Sequence, residues 1–160
     1  MYQDTGMVSG KESGFSCLTN ITGAPMKQKV LFICTHNSAR SQMAEGYLNA
    51  RYRDRYEAFS AGTEVTRVHP LAIAAMEEIG IDISNHWSKV LIEFFDQDID
   101  IVVTVCDSAN AAFPIFPGAK KMIHVSFHDP SGATGTQQDQ MKIFRLVRDE
   151  IVSWINTNLG

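Results

Sequence analysis

The sequence predicts an α/β fold, a three-layer sandwich in which a four-stranded parallel sheet carries helices on both faces. Two observations predict it. Short apolar, β-branched runs alternate with longer segments of helical spacing, and the runs at 30–33 and 100–106 are apolar at successive positions, as strands buried on both faces are. At 160 residues, 44% hydrophobic and 20% charged, the chain suits one core.

Residues 1–26 are rich in Gly, Ser and Thr without periodicity and are read as a flexible N-terminal extension, with 27–160 as a single domain. Residues 30–33 make the first strand, and a helix begins near Ser38. Residues 57–61 make a second strand closed by Gly62. Pro70 opens a helix over 70–79 and Gly80 follows its end. A short helix is expected at 88–95, a buried strand at 100–106 and a fourth strand at 121–126. The last helix begins near Gln137, with Phe144, Val147, Ile151 and Trp154 or Ile155 facing the sheet.

A net charge of −4 with no basic run excludes a nucleic-acid surface; Arg51, Arg53 and Arg55 are interleaved with Asp54 and Glu57. No apolar stretch reaches membrane-spanning length and no secretion signal opens the chain, so a cytoplasmic protein without a membrane partner is expected. A monomer is expected as well. The three cysteines, at 17, 34 and 106, are too few and too scattered for a disulfide scaffold or a zinc site, so no metal is expected. Their value lies in reactivity or packing, with Cys17 an incidental thiol.

The run Cys34-Thr35-His36-Asn37-Ser38-Ala39-Arg40-Ser41 stands between the first strand and its helix. A short loop there can curl its backbone N–H groups inward while the helix adds unpaired N-terminal donors, which makes an oxyanion site. Arg40 can grip two oxygens at once, which lysine cannot. Beneath the anion, those donors and that cation favour Cys34 as a thiolate nucleophile. Parallel sheets bind ligands at the carboxyl ends of their strands, where Cys34, Cys106 and Asp129 all fall on this reading.

These stretches, with Ser60-Ala61-Gly62, Ile81-Asp82-Ile83-Ser84-Asn85-His86, Val102-Val103-Thr104-Val105-Cys106 and Asp129-Pro130, resemble the low-molecular-weight protein tyrosine phosphatase superfamily, most closely its thioredoxin-coupled arsenate reductase branch. The resemblance implies that Cys34 is the nucleophile, that Arg40 and the loop amides hold the oxyanion, that Ser41 supports the thiolate and that Asn37 fixes the loop. Asp129 would be the general acid, and Cys106 the second thiol, which attacks Cys34 and expels arsenite as a Cys34–Cys106 disulfide forms. No cofactor is implied. The partners implied are an arsenate or phosphate oxyanion and a thioredoxin or small-thiol reductant.

Two departures stand out. Where the reductases carry a third cysteine, this chain has Phe113 before Pro114, leaving direct reduction by thioredoxin or a small thiol, substitution by Cys17, or a phosphatase that hydrolyses phosphomonoesters through a cysteinyl-phosphate. Ser131-Gly132 follow Asp129-Pro130 where the phosphatases place aromatic residues. The superfamily's potassium-binding reductases use ligands matched here by Asn37, Glu45 and Ser60, but the remaining aspartate position holds Lys89, whose ammonium would take the cation's place. His36 and His86 are placed to tune a thiolate. His69 and His124 read as boundary and packing residues.

Overall fold

The computed structural model describes residues 26–106, 116 and 118–160. The N-terminal extension apart from Met26, with its Cys17, and Phe113 with Pro114 lie outside those residues.

Four strands form one parallel sheet: β1 (Gln28–Cys34), β2 (Tyr56–Gly62), β3 (Ile101–Thr104) and β4 (Lys121–His124), in the order β2-β1-β3-β4. Among the described residues three α-helices accompany them, α1 (Arg40–Arg51), α2 (Pro70–Glu77) and α3 (Gln137–Asn158), with two 3-10 turns, Leu91–Phe94 and Pro130–Gly132. The central strands are those apolar at successive positions. Val30, Leu31, Phe32, Ile33, Val102 and Val103 are at most 1% exposed, whereas β4, at the edge, is largely exposed.

All three α-helices share one face of the sheet, where Val30, Phe32 and Val103 meet Met43 and Leu48 of α1, Met76 of α2 and Phe144 and Ile151 of α3. On the other face Leu31, Ile33 and Val102 are covered by Leu91, Phe94, Ile99 and Phe116. The chain moves one way from β1 to β2 and the other way from β2 to β3; the second connection first lays α2 on the α1 face and then brings Leu91, Phe94 and Ile99 to the opposite one. That reversal leaves a crevice beyond the carboxyl ends of β1 and β3, the position at which open α/β sheets bind ligands.

The helix expected at 88–95 is only the 3-10 turn Leu91–Phe94, because the residues before it are claimed elsewhere. Lys89 accepts from the Gly62 N–H at 2.8 Å, donates its own N–H to Asn37 Oδ1 at 2.8 Å, and Val90 bridges to Gly62. α2 ends two residues earlier than expected, where Gly80 takes a φ of 81° and the Ile81 N–H turns back to Met76 at 3.0 Å. In α3, Ile155 rather than the half-buried Trp154 takes the core position.

Candidate active site

β1 delivers Cys34 at its last residue, and the chain must then turn from strand into α1 within residues 35–39. Asn37 makes that possible by adopting a φ of 52°, a left-handed conformation that asparagine tolerates better than most residues. The loop carbonyls point away from its centre. Thr35 accepts from the Glu64 N–H at 2.8 Å and Ser38 from the His69 N–H at 2.9 Å, while Asn37 accepts from Ser88 Oγ at 2.7 Å. In a trans peptide the next residue's N–H lies opposite its carbonyl, so the amides of His36, Ser38 and Ala39 turn inward. Ala39, the N-cap of α1, has no side-chain acceptor, which leaves the helix's positive end facing the same space.

Gly62 is what allows the loop to sit so close. A Cβ there would lie 2.6 Å from the Thr35 carbonyl oxygen and 2.9 Å from the Asn37 nitrogen.

Asn37 is fully buried and its side chain is linked to Cys34 through Ser41. Its Nδ2 donates to Ser41 Oγ at 2.8 Å, and Ser41 Oγ lies 2.8 Å from Cys34 Sγ. With one lone pair of the Ser41 oxygen engaged by Asn37, the hydroxyl keeps its proton for the sulfur once that is ionised, an arrangement that stabilises a thiolate. Gln42, also fully buried, holds Asn37 from behind: its Nε2 donates to Asn37 Oδ1 at 3.0 Å and to the Asn37 carbonyl at 3.2 Å.

Arg40 is 5% exposed. Its guanidinium donates to the Phe127 carbonyl at 3.2 Å and faces Asp129 Oδ2 at 3.5 Å. Burial pushes the Asp129 carboxyl up, but donors from Ser131 and the charges of Arg40 and His36 outweigh it and leave the group below the ordinary carboxylate range. The space over Cys34 is enclosed by His36, residues 38–40, Asp129 and Ser131 and measures about 10 Å³, room for one water-sized group.

Cys106 is 2% exposed and is in no disulfide, as is Cys34. The preceding Val105 N–H donates to Ile33 at 2.9 Å. Cys106 thus follows directly on the point where the chain leaving β3 runs beside the end of β1.

Glu45 gathers the cation-site residues. Ser60 Oγ donates to its Oε1 at 2.5 Å, and Lys89 Nζ lies 3.5 Å from the same oxygen, 2.9 Å from the Trp87 carbonyl and 5.0 Å from the Trp87 ring centroid. Through its backbone, Lys89 also holds Asn37 Oδ1. Asn37, Glu45, Ser60 and Lys89 therefore form one cluster behind the loop.

His36 lines the cavity and lies 3.8 Å from Glu64, whereas His86 faces Gln42 Oε1 at 3.0 Å and Glu45 at 3.7 Å. Burial, with Lys89 adding to it, lowers the His86 pKa against the pull of Glu45 and Asp82. His69 caps α2, accepting the Leu71 N–H at 3.1 Å, and His124 bonds Thr104. Gln42, Ser88 and Ser131 were not singled out from sequence. Their signal was weak: each is a common polar residue, Gln42 and Ser88 bond to distant segments, and Ser131 bonds Asp129 two residues before it as in an ordinary turn.

A family model described as low molecular weight phosphotyrosine protein phosphatase matches residues 29–154. Among curated proteins, an arsenate reductase of Halalkalibacterium halodurans is 44% identical over 131 residues, 82% of this chain and 94% of that protein. One of Bacillus subtilis is 42% identical over 127 residues, 79% of this chain and 91% of that protein. A solved arsenate reductase in the phosphate binding state is 35% identical with a TM-score of 0.71, covering 81% of this chain and 95% of that one. The low molecular weight protein tyrosine phosphatase from T. tengcongensis is 26% identical with a TM-score of 0.67, covering 83% and 98%.

Proposed function

The chain belongs to the low molecular weight phosphotyrosine protein phosphatase family, and from that premise we propose that it is an arsenate reductase using Cys34, Arg40, Asp129 and Cys106. The observation that carries this reading is the pair of buried thiols at the ends of adjacent strands, the first beneath an anion cradle. The Cys34 thiolate attacks arsenic while Arg40, the inward amides and the end of α1 hold the oxygens. Asp129 gives its proton to the departing oxygen, which leaves as water. The Cys106 thiol, losing its proton to solvent, then attacks Cys34 Sγ. The S–S bond forms, the S–As bond breaks with its electron pair going to arsenic, and As(V) departs as arsenite.

A thioredoxin or small thiol in the cytoplasm reduces the Cys34–Cys106 disulfide and restarts the cycle. Lys89 supplies the positive charge at Glu45 and, through Asn37, holds the loop. The enzyme acts as a monomer, since the groups named all come from one chain.

The family's hydrolytic chemistry needs Cys34, Arg40 and Asp129 alone, so the two activities separate at Cys106. Cys106→Ser is expected to lose arsenite production while keeping aryl-phosphate hydrolysis, and Cys34→Ser to lose both. Mass mapping after one arsenate turnover is expected to find a Cys34–Cys106 link. Rapid phosphotyrosine hydrolysis by the unaltered enzyme, with no arsenite from arsenate and a thioredoxin or glutaredoxin system, would overturn the reading in favour of a phosphatase.

A further inference from the structure

We propose that Ser131 is a positioning residue for the general acid: it occupies one oxygen of Asp129 so that the other is the oxygen that carries and delivers the proton. The inference rests on the reading of Asp129 as that acid. Ser131 donates twice to Asp129 Oδ1, from its N–H at 3.0 Å and from its hydroxyl at 2.7 Å. Two donors on one oxygen fix the rotation of the carboxyl about its Cβ–Cγ bond. They also fix where a proton can sit, since an oxygen already faced by two hydrogens is a poor site for a third. The remaining oxygen, Oδ2, faces Arg40 at 3.5 Å, and both Asp129 and Ser131 wall the cavity over Cys34.

The charged and titratable groups facing Asp129 are Arg40 from α1, His36 from the loop and His69 from the start of α2. Arg40 and His36, with Ser131, hold the carboxylate in the resting site, while burial lowers the pKa of His69. An arriving oxyanion takes the Arg40 donors and sets negative charge beside Oδ2, which draws a proton to that oxygen. The Ser131 hydroxyl opposes this protonation, so it sets the alkaline limit of turnover as well as the direction of the proton.

The same two bonds also cap the turn Pro130–Gly132, and a purely structural cap would leave that limit in place. The experiment is single-turnover formation of the Cys34–Cys106 disulfide by arsenate, followed from about pH 5 to 9 by mass spectrometry. In Ser131→Ala the plateau rate is expected to fall about fivefold, and the alkaline limb to move to higher pH because the carboxyl holds its proton more tightly. Ser131→Thr keeps the hydroxyl, and its methyl is accommodated at an exposed position, so it is expected to restore both. Asp129→Asn is expected to be slow and to lack the limb. If Asp129→Asn is slow but the Ser131→Ala limb stays put, or threonine fails to rescue, the Ser131 inference is overturned alone. An Asp129→Asn variant with the unaltered rate and pH profile overturns the general-acid reading, and Ser131 with it.

Discussion

Lys89 concentrates the physics of the residue scale. Glu45 is a carboxylate with 13% side-chain exposure, and removing its cation leaves a buried charge faced by the Ser60 hydroxyl and by His86, whose pKa burial lowers. Lys89→Ala is therefore expected to cost about 3 kcal/mol, on the scale of a broken buried pair, measured as a fall in the urea midpoint. Because the ammonium already neutralises Glu45 in the unaltered protein, potassium and sodium at equal ionic strength are expected to give the same turnover and the same Tm. A marked gain in potassium alone would show that Lys89 does not fill that role. The charge at position 89 was legible in the sequence as a lysine beside matched polar ligands, but its second task was not. The backbone bond from Lys89 to Asn37 Oδ1 joins residues 52 positions apart, and no local pattern encodes it. Gly62 was legible as the end of a strand and not as the place where the loop backbone passes within contact distance.

At the scale of elements, α2 and α3 are tied by Glu78, which sits between Arg145 and Arg148. Arg145 donates to both its oxygens at 2.8–3.0 Å and Arg148 to one at 2.9 Å. The Arg145 hydrogen bonds lead in lowering the Glu78 pKa from 4.5 to about 2, against an opposing effect of burial, with Arg148 adding to them. A carboxyl depressed in the folded state contributes stability above its unfolded pKa and loses it as pH falls through the folded one. Glu78→Gln is thus expected to lower Tm near pH 7 by roughly 3 °C, a modest figure because the pair is partly exposed to screening water. The difference should shrink between pH 4.5 and about 2, and thermal scans across that window check it. A constant difference would assign the effect to packing. Element types were readable because period-2 and period-3.6 patterns reflect burial directly, and the start of α3 near Gln137 agrees with the structure, where Thr136 and Asp139 cap it. The segment at 88–95 was misread because tertiary bonds from Gly62 and Asn37 overrode its local helical spacing.

Across the whole molecule, alternation of strands and helices was enough to place Cys34, Cys106 and Asp129 at one end of a parallel sheet. The strand order β2-β1-β3-β4, which makes the end of β1 the switch point, needed coordinates. So did the division of helices, since among the described residues the three α-helices lie on one face and a 3-10 turn helps cover the other. The anion site draws on the β1–α1 loop, the start of α1 and the 129–131 turn, segments separated by up to about 90 residues. Loop closure over such distances is not maintained in an unfolded chain, so oxyanions should bind the native state alone. Mass action then converts affinity into stability, about 2.7 kcal/mol at one hundred times Kd, or roughly 5–10 °C for a chain of this size. Phosphate is the suitable probe because it resembles arsenate but leaves both thiols reduced. Tm is expected to climb with the logarithm of phosphate concentration, and chloride at matched ionic strength to leave it unchanged. Cys34→Ser should keep most of the rise, because the amides and Arg40 hold the anion. Arg40→Ala, which removes the guanidinium from a nearly closed cavity, should abolish it. A rise of equal size in Arg40→Ala would mean that phosphate stabilises the fold from some other surface and that the loop is not the oxyanion site.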